Sequence, residues 1–158
     1  MKSLVLNLVL AVIWLFLNPE PSLSTFFIGL ILGFALLAAF HSVHNSLDYI
    51  RRTLAFFRYL LVFTKEFLVA NLLVLRAVLF QKNEELYPNF MTYDVTGLSD
   101  LEIMLMYYCI SLTPGSAAVS LTDDKRTMII HVFDARDPDE VRRQLDTILK
   151  AGILAFTR

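Results

Sequence analysis

Two apolar runs open the chain. No residue is charged from Ser3 to Pro19, and none from Pro21 to Ala39. A helix crossing a bilayer needs about 20 mostly apolar residues, and about 17 are tolerated. Both runs meet that length, the first only just. Between them, Asn18-Pro19-Glu20-Pro21-Ser22 carries two prolines, which remove backbone donors and restrict the residues before them. The pattern predicts two helices joined by a turn, with Ser22 or Ser24 capping the second. Gly29 and Gly33 stand four apart in the second run, a spacing that lets another helix approach closely, and both are candidate subunit contacts.

The pattern changes from Leu47 to Phe80. The segment stays hydrophobic, but Arg51, Arg58, Lys65 and Arg76 interrupt it. At about 100° per residue these four fall within about 40° around a helix. A basic stripe on an otherwise apolar helix predicts an amphipathic helix lying on the membrane, its charges among anionic headgroups. Spanning would bury Lys65, Glu66 and Asn71 near mid-bilayer, where a charge costs about 2.5–3.5 kcal/mol on the gentlest scale. A true third span with its polar stripe facing partner helices is the rival reading. In either case Lys65, Glu66 and Asn71 are candidate subunit contacts.

Beyond Pro88 short alternating segments replace the long runs. Phe90–Val95 reads as a strand and Gly97 as a turn. Ser99-Asp100-Leu101-Glu102 is a capping-box pattern that predicts a helix to about Ser111. That helix is apolar almost all round, so something must cover most of its sides. Ala117–Thr122 and Thr127–Phe133, joined by Asp123-Asp124-Lys125-Arg126, read as a hairpin. Asp137-Pro138 starts a last helix, Asp as cap and Pro at its first position, with Val141, Leu145, Ile148, Leu149, Gly152 and Phe156 on its inner face. The order is βαββα, two helices on one face of a small mixed sheet.

The expected architecture is therefore a membrane α-helical hairpin (1–46), an amphipathic membrane-surface helix (47–84, or a third span) and a small α+β cytoplasmic domain (85–158). Composition supports the split. The 158 residues are 56% hydrophobic and 18% charged, against about 45–50% and 25% in average globular domains. The net charge of −1 gives no basic surface for nucleic acid. Lys2 before the first run and Arg51, Arg52 and Arg58 after the second place both ends in the cytoplasm. A cleaved signal peptide over residues 1–20 is disfavoured, because Trp14-Leu15-Phe16 is bulky where small residues are required.

Three stretches together carry a resemblance. They are Leu6-Asn7-Leu8-Val9-Leu10-Ala11-Val12-Ile13-Trp14, then Lys65-Glu66-Phe67-Leu68-Val69-Ala70-Asn71-Leu72-Leu73-Val74-Leu75-Arg76, and finally Ser111-Leu112-Thr113-Pro114-Gly115 with Val119-Ser120-Leu121-Thr122-Asp123-Asp124 and His131. In order and spacing the chain resembles the E subunit of Mrp-type (Mnh/Pha) monovalent cation/proton antiporters over nearly its whole length. The resemblance implies a multi-pass subunit of a bacterial or archaeal plasma-membrane complex that exchanges cytoplasmic sodium, or another monovalent cation, for external protons. It implies that large partner subunits carry the ions, that this chain serves assembly and integrity, and that Thr113, Pro114 and Gly115 form a family turn. Its partners would be the other subunits and membrane lipids.

The residues permit little other chemistry. Ion pathways use ionisable side chains facing a bundle interior, and the two apolar runs have none outside Glu20 in their loop. His41 and His44 lack further ligands for a metal, and the single Cys109 excludes a disulfide framework. Ser116, Ser120 and His131 suggest no nucleophile–base order, and Asp123-Asp124 reads as a solvated turn. The sequence thus predicts no catalytic residues, no metal and no cofactor. A membrane-tethered lipid- or ligand-binding sensor is the alternative to a transport subunit.

Overall fold

The computed structural model describes residues 2–44, 46–81 and 86–158. The expected boundary at 84/85 lies outside them, as does the His44 side chain. The chain divides into two compact units, Met1–Leu54 and Ala55–Arg158, with the division inside a helix.

The first unit is built on α1 (Lys2–Leu17) and α2 (Leu23–Ala39), followed by the short α3 (His41–His44). Ser22 caps α2, its Oγ accepting from the Thr25 amide at 3.2 Å. With 16 and 17 residues, the two helices are about 24 and 26 Å long at 1.5 Å per residue. The hydrocarbon core of a bilayer is about 30 Å thick. Among the described residues no helix is long and apolar enough to cross a membrane.

The seam between α1 and α2 is made of small residues. Ala11 and Gly29 are buried, and a Cβ on Gly29 would come within 3.0 Å of the Ala11 Cα and carbonyl oxygen. Gly33 lies against Asn7, whose Oδ1 occupies the space a Cβ would fill. The helix that Gly29 and Gly33 admit is therefore the chain's own α1, which corrects their expected use as contacts to another subunit.

In the second unit α4 (Leu47–Phe80), which begins in the first, continues as one uninterrupted helix of 34 residues. It is followed by β1 (Asn89–Asp94), α5 (Asp100–Leu112), β2 (Ser116–Leu121) and β3 (Thr127–Val132). The sheet order is β1-β3-β2 and both pairings are antiparallel, so the sheet is not mixed as expected. The α5 crossover returns the chain parallel to β1, but β3 inserts between the two parallel strands and makes every neighbour antiparallel. Met91, Tyr93, Ala118, Met128, Ile130 and Val132 turn one sheet face onto Ile103, Met106 and Ile110 of α5.

The predicted last helix starts at its Asp137 cap and Pro138 but is not uniform. It runs as α6 (Pro138–Gln144), a π turn (Leu145–Lys150) and α7 (Ala151–Thr157). A π turn takes more residues per revolution and rotates the succeeding residues back around the axis. Ile153, outside the expected inner face, is thereby buried to 1% exposure. Gly152 lets the Tyr59 ring of α4 rest on the backbone where a side chain would stand.

Candidate functional site

Helix α4 has three kinds of surface. Tyr59, Phe63, Ala70, Val74 and Ala77 are buried or half-buried, and Tyr59 and Phe63 join the domain core. On the opposite side Leu61, Leu68, Leu72, Leu75 and Leu79 are exposed, Leu61 by 74%. Arg51, Arg58, Lys65 and Arg76 are exposed on the flank between these two faces. The domain on one side, bare leucine on the other and basic residues along the edge give this helix three chemically distinct faces.

Of the three candidate contacts on α4, Lys65 and Glu66 pair with each other at 3.5 Å. The Asn71 Nδ2 donates to the Phe67 carbonyl at 2.8 Å and leaves the side chain exposed.

The Thr113-Pro114-Gly115 turn ends α5 and meets α4. Thr113 Oγ1 donates to the Cys109 carbonyl at 2.8 Å, and Ser116 Oγ donates to the Ile110 carbonyl at 2.8 Å, satisfying the last carbonyls of the helix. Gly115 has φ +89°, and a Cβ there would stand 3.3 Å from Val74. The Phe133 amide donates to its carbonyl at 2.7 Å, fixing the turn to the end of β3. Glycine is required here by backbone conformation and by the approach of α4.

Between this turn, the second half of α4, the end of β3 and the α6–π segment lies a groove of about 630 Å³. Val69, Leu73, Pro114, Leu145 and Ile148 supply apolar wall, while Glu66, Arg76, Asp134 and Arg136 bring charge to it. It unites Glu66, Arg76 and all three residues of the predicted turn, but not Arg51, Arg58, Lys65 or Asn71. Sequence spacing gave no sign of it, because half its wall comes from segments more than thirty residues beyond α4.

A second feature locks the domain. Glu102 is 2% exposed. Its carboxylate accepts from the Ser99 amide at 2.7 Å, Thr157 Oγ1 at 2.7 Å, and Arg158 Nε and Nη2 at 3.0 and 2.9 Å. The Arg158 guanidinium first, then these further donors, hold the Glu102 carboxyl far below the usual carboxylate range despite its burial. The capping box expected at Ser99 and Glu102 thus also ties the start of α5 to the end of α7. Nearby, Tyr93 Oη donates to Asp146 at 2.6 Å, and burial followed by that bond pushes the phenol upward.

Helix α5 leaves Leu101, Met104, Tyr108 and Leu112 between 47% and 60% exposed. They recur at helical spacing and form one bare apolar stripe. The all-round hydrophobicity of the helix signalled that something covers it, without saying which side the chain itself leaves open.

Among the described residues no group of three or more His, Cys, Asp or Glu side chains is placed to hold a metal. The His41 ring Nδ1 is 3.1 Å from the Ala38 carbonyl, and the His131 ring packs edge-on to Phe90. Asp124 accepts from Thr122 Oγ1 at 2.6 Å and from the Arg126 amide at 3.1 Å within its exposed turn.

The family model described as a Na+/H+ ion antiporter subunit matches residues 7–155. The chain is 30% identical over 138 residues to the E subunit of the Na(+)/H(+) antiporter of Bacillus subtilis, covering 87% of each chain. It is 32% identical over 140 residues to the E1 subunit of the Na(+)/H(+) antiporter of Staphylococcus haemolyticus, covering 87% of this chain and 86% of the relative. Two solved structures share its fold. One is the Mrp complex from Dietzia (TM-score 0.51, 23% identity, 63% of this chain and 93% of that one). The other is the membrane-bound sulfane sulfur reductase, an archaeal respiratory complex (TM-score 0.56, 22% identity, 96% and 98%).

Proposed function

The chain belongs to the family of Na+/H+ antiporter E subunits, and on that premise we propose that it is a non-catalytic subunit holding a multisubunit Mrp-type antiporter together at the cytoplasmic membrane surface. The observation that carries this reading is α4, with one face in the domain core, the opposite face bare leucine and a line of basic residues at their edge. A helix so divided gains by lying in the interface, where each basic residue near anionic lipid contributes about 1 kcal/mol.

In this reading α1 and α2 insert as a hairpin. Each is a few residues short of the hydrocarbon thickness, a mismatch met by local thinning of the bilayer. Both termini lie in the cytoplasm, following the basic residues at Lys2 and Arg51–Arg52. The buried seam of Asn7, Ala11, Gly29, Gly33 and Leu37 contains no ionisable side chain. That seam has no proton-carrying group of its own, so ion movement belongs to partner subunits. The bare stripe on α5 and the pair Lys65–Glu66 are the surfaces offered to those partners.

The test reverses charge on α4. Arg58→Glu with Lys65→Glu should lower the yield of intact complex recovered in mild detergent severalfold, with the chain still expressed. Unchanged yield would remove the surface-helix argument. Sodium-for-proton exchange by this chain alone in vesicles would remove the accessory role.

A further inference from the structure

The groove beside α4 has an apolar wall and a charged lip. Its volume of about 630 Å³ lies within the roughly 300–1,000 Å³ typical of ligand sites. Four charged residues line it. Glu66 is paired with Lys65 at 3.5 Å, and Asp134 is paired with Arg136. Arg76 is exposed and forms no ion pair among the described residues. The four lining charges sum to zero, but Glu66, Asp134 and Arg136 each have an ion-pair partner and Arg76 has none among the described residues, which leaves a guanidinium suited to fork onto a phosphate.

Arg76 also belongs to the basic stripe, and the wall residues Val69 and Leu73 sit beside that stripe. At about 100° per residue, Lys65, Arg76, Val69 and Leu73 span only about 80° of the helix. The groove thus adjoins the edge of α4 that faces headgroups when the helix lies in the interface. A free phosphate would leave the apolar wall uncovered, and an uncharged hydrocarbon would leave Arg76 unmatched. A single amphiphile with an anionic head satisfies both.

We propose that this groove holds one acyl chain of an anionic phospholipid, whose phosphate accepts hydrogen bonds from Arg76. The proposal rests on α4 lying at the membrane surface. It adds a lipid held in place between α4 and the sheet domain, beyond the general attraction of the stripe.

The experiment titrates the delipidated full-length chain in mild detergent with phosphatidylglycerol and counts retained lipid by native mass spectrometry. One phosphatidylglycerol per chain should be retained. Ala70→Phe, which fills the groove, and Arg76→Gln should each weaken retention about tenfold. Arg58→Gln, on the same stripe but outside the groove, should stay within about twofold of the parent. Circular dichroism monitors folding, and Ala70→Leu replaces the phenylalanine variant if that one unfolds.

Equal retention of phosphatidylcholine, full displacement by millimolar inorganic phosphate, or equal loss in the Arg58 and Arg76 variants would overturn the proposal. So would no retained lipid, or a Leu73→Cys cross-link placing another subunit's segment in the groove. If instead the Arg58→Glu, Lys65→Glu chain assembles normally while the lipid is still retained, the surface-helix reading fails and the site stands.

Discussion

The hairpin and the sheet domain solve the same packing problem with opposite materials. Between α1 and α2 the buried residues are mostly small or polar, Leu37 excepted, and most large ones are exposed, Phe16, Leu17, Leu23 and Ile31 by 67% or more. In the domain the large residues Met106, Ile110, Met128, Ile130 and Ile153 are buried, and most charges face outward. Water drives the second arrangement, since burying a large aliphatic side chain contributes about 1.5–3 kcal/mol. It cannot drive the first, because those side chains remain exposed after the helices meet. Close approach of the two backbones at Ala11–Gly29 and Asn7–Gly33 makes that seam instead, while the Asn7 Nδ2 donates to Tyr49 Oη at 2.7 Å and ties α1 to the start of α4. The two regions thus differ in what holds them, close small-residue contact in the hairpin and buried aliphatic side chains in the domain.

The comparison is broken most severely in the domain, at Gly152. Leucine there would drive a side chain into the Tyr59 ring, and the expected loss is about 3 kcal/mol, read as reduced protease resistance of the full chain. A variant as resistant as the parent would mean that Tyr59 can leave the core freely. The matching break in the hairpin is Gly33→Ala, which sets a methyl where Asn7 Oδ1 lies. About 2 kcal/mol should be lost, and the double change Asn7→Ala, Gly33→Ala should recover part of it. If the double variant is no better than the single one, Gly33 is not constrained by α1.

Acid separates the two regions further. The folded-state value of Glu102 is depressed, so its stabilisation is fully present above the ordinary carboxylate range near about 4.3 and is lost as pH falls toward the folded value. Glu102→Gln should cost about 2 kcal/mol at neutral pH and flatten the acid limb of domain unfolding, followed by tyrosine fluorescence. The hairpin, with no ionised group in its seam, should show no such limb. The smallest effect is expected at Gly115→Ala, about 1–2 kcal/mol for a side chain held at positive φ, seen as a modest drop in the midpoint of the same transition.

Local chemistry made much of this fold legible. Charge spacing marked α4 to its last residues, and the capping signals at Ser22, Ser99 and Asp137 set three helix starts. The features that escaped were long-range. A GxxxG spacing says that a helix will come close but not whose, and here it was the preceding one. A mixed sheet was expected, and only the placement of β3 between β1 and β2 makes every pairing antiparallel. The groove had Glu66, Arg76 and the Thr113–Gly115 turn on view in the sequence, yet only the fold brings α4 against the end of β3.

The wide turn at Leu145–Lys150 has a consequence for reading related chains. It amounts to one extra residue wound into an otherwise ordinary helix. Removing a residue there would leave a straighter helix but swing Ile153 and Phe156 about 100° around its axis, off the core they now fill. Chains of different length in this stretch must therefore compensate within the last two turns. An alignment that places its gap elsewhere will match the wrong side chains to the core.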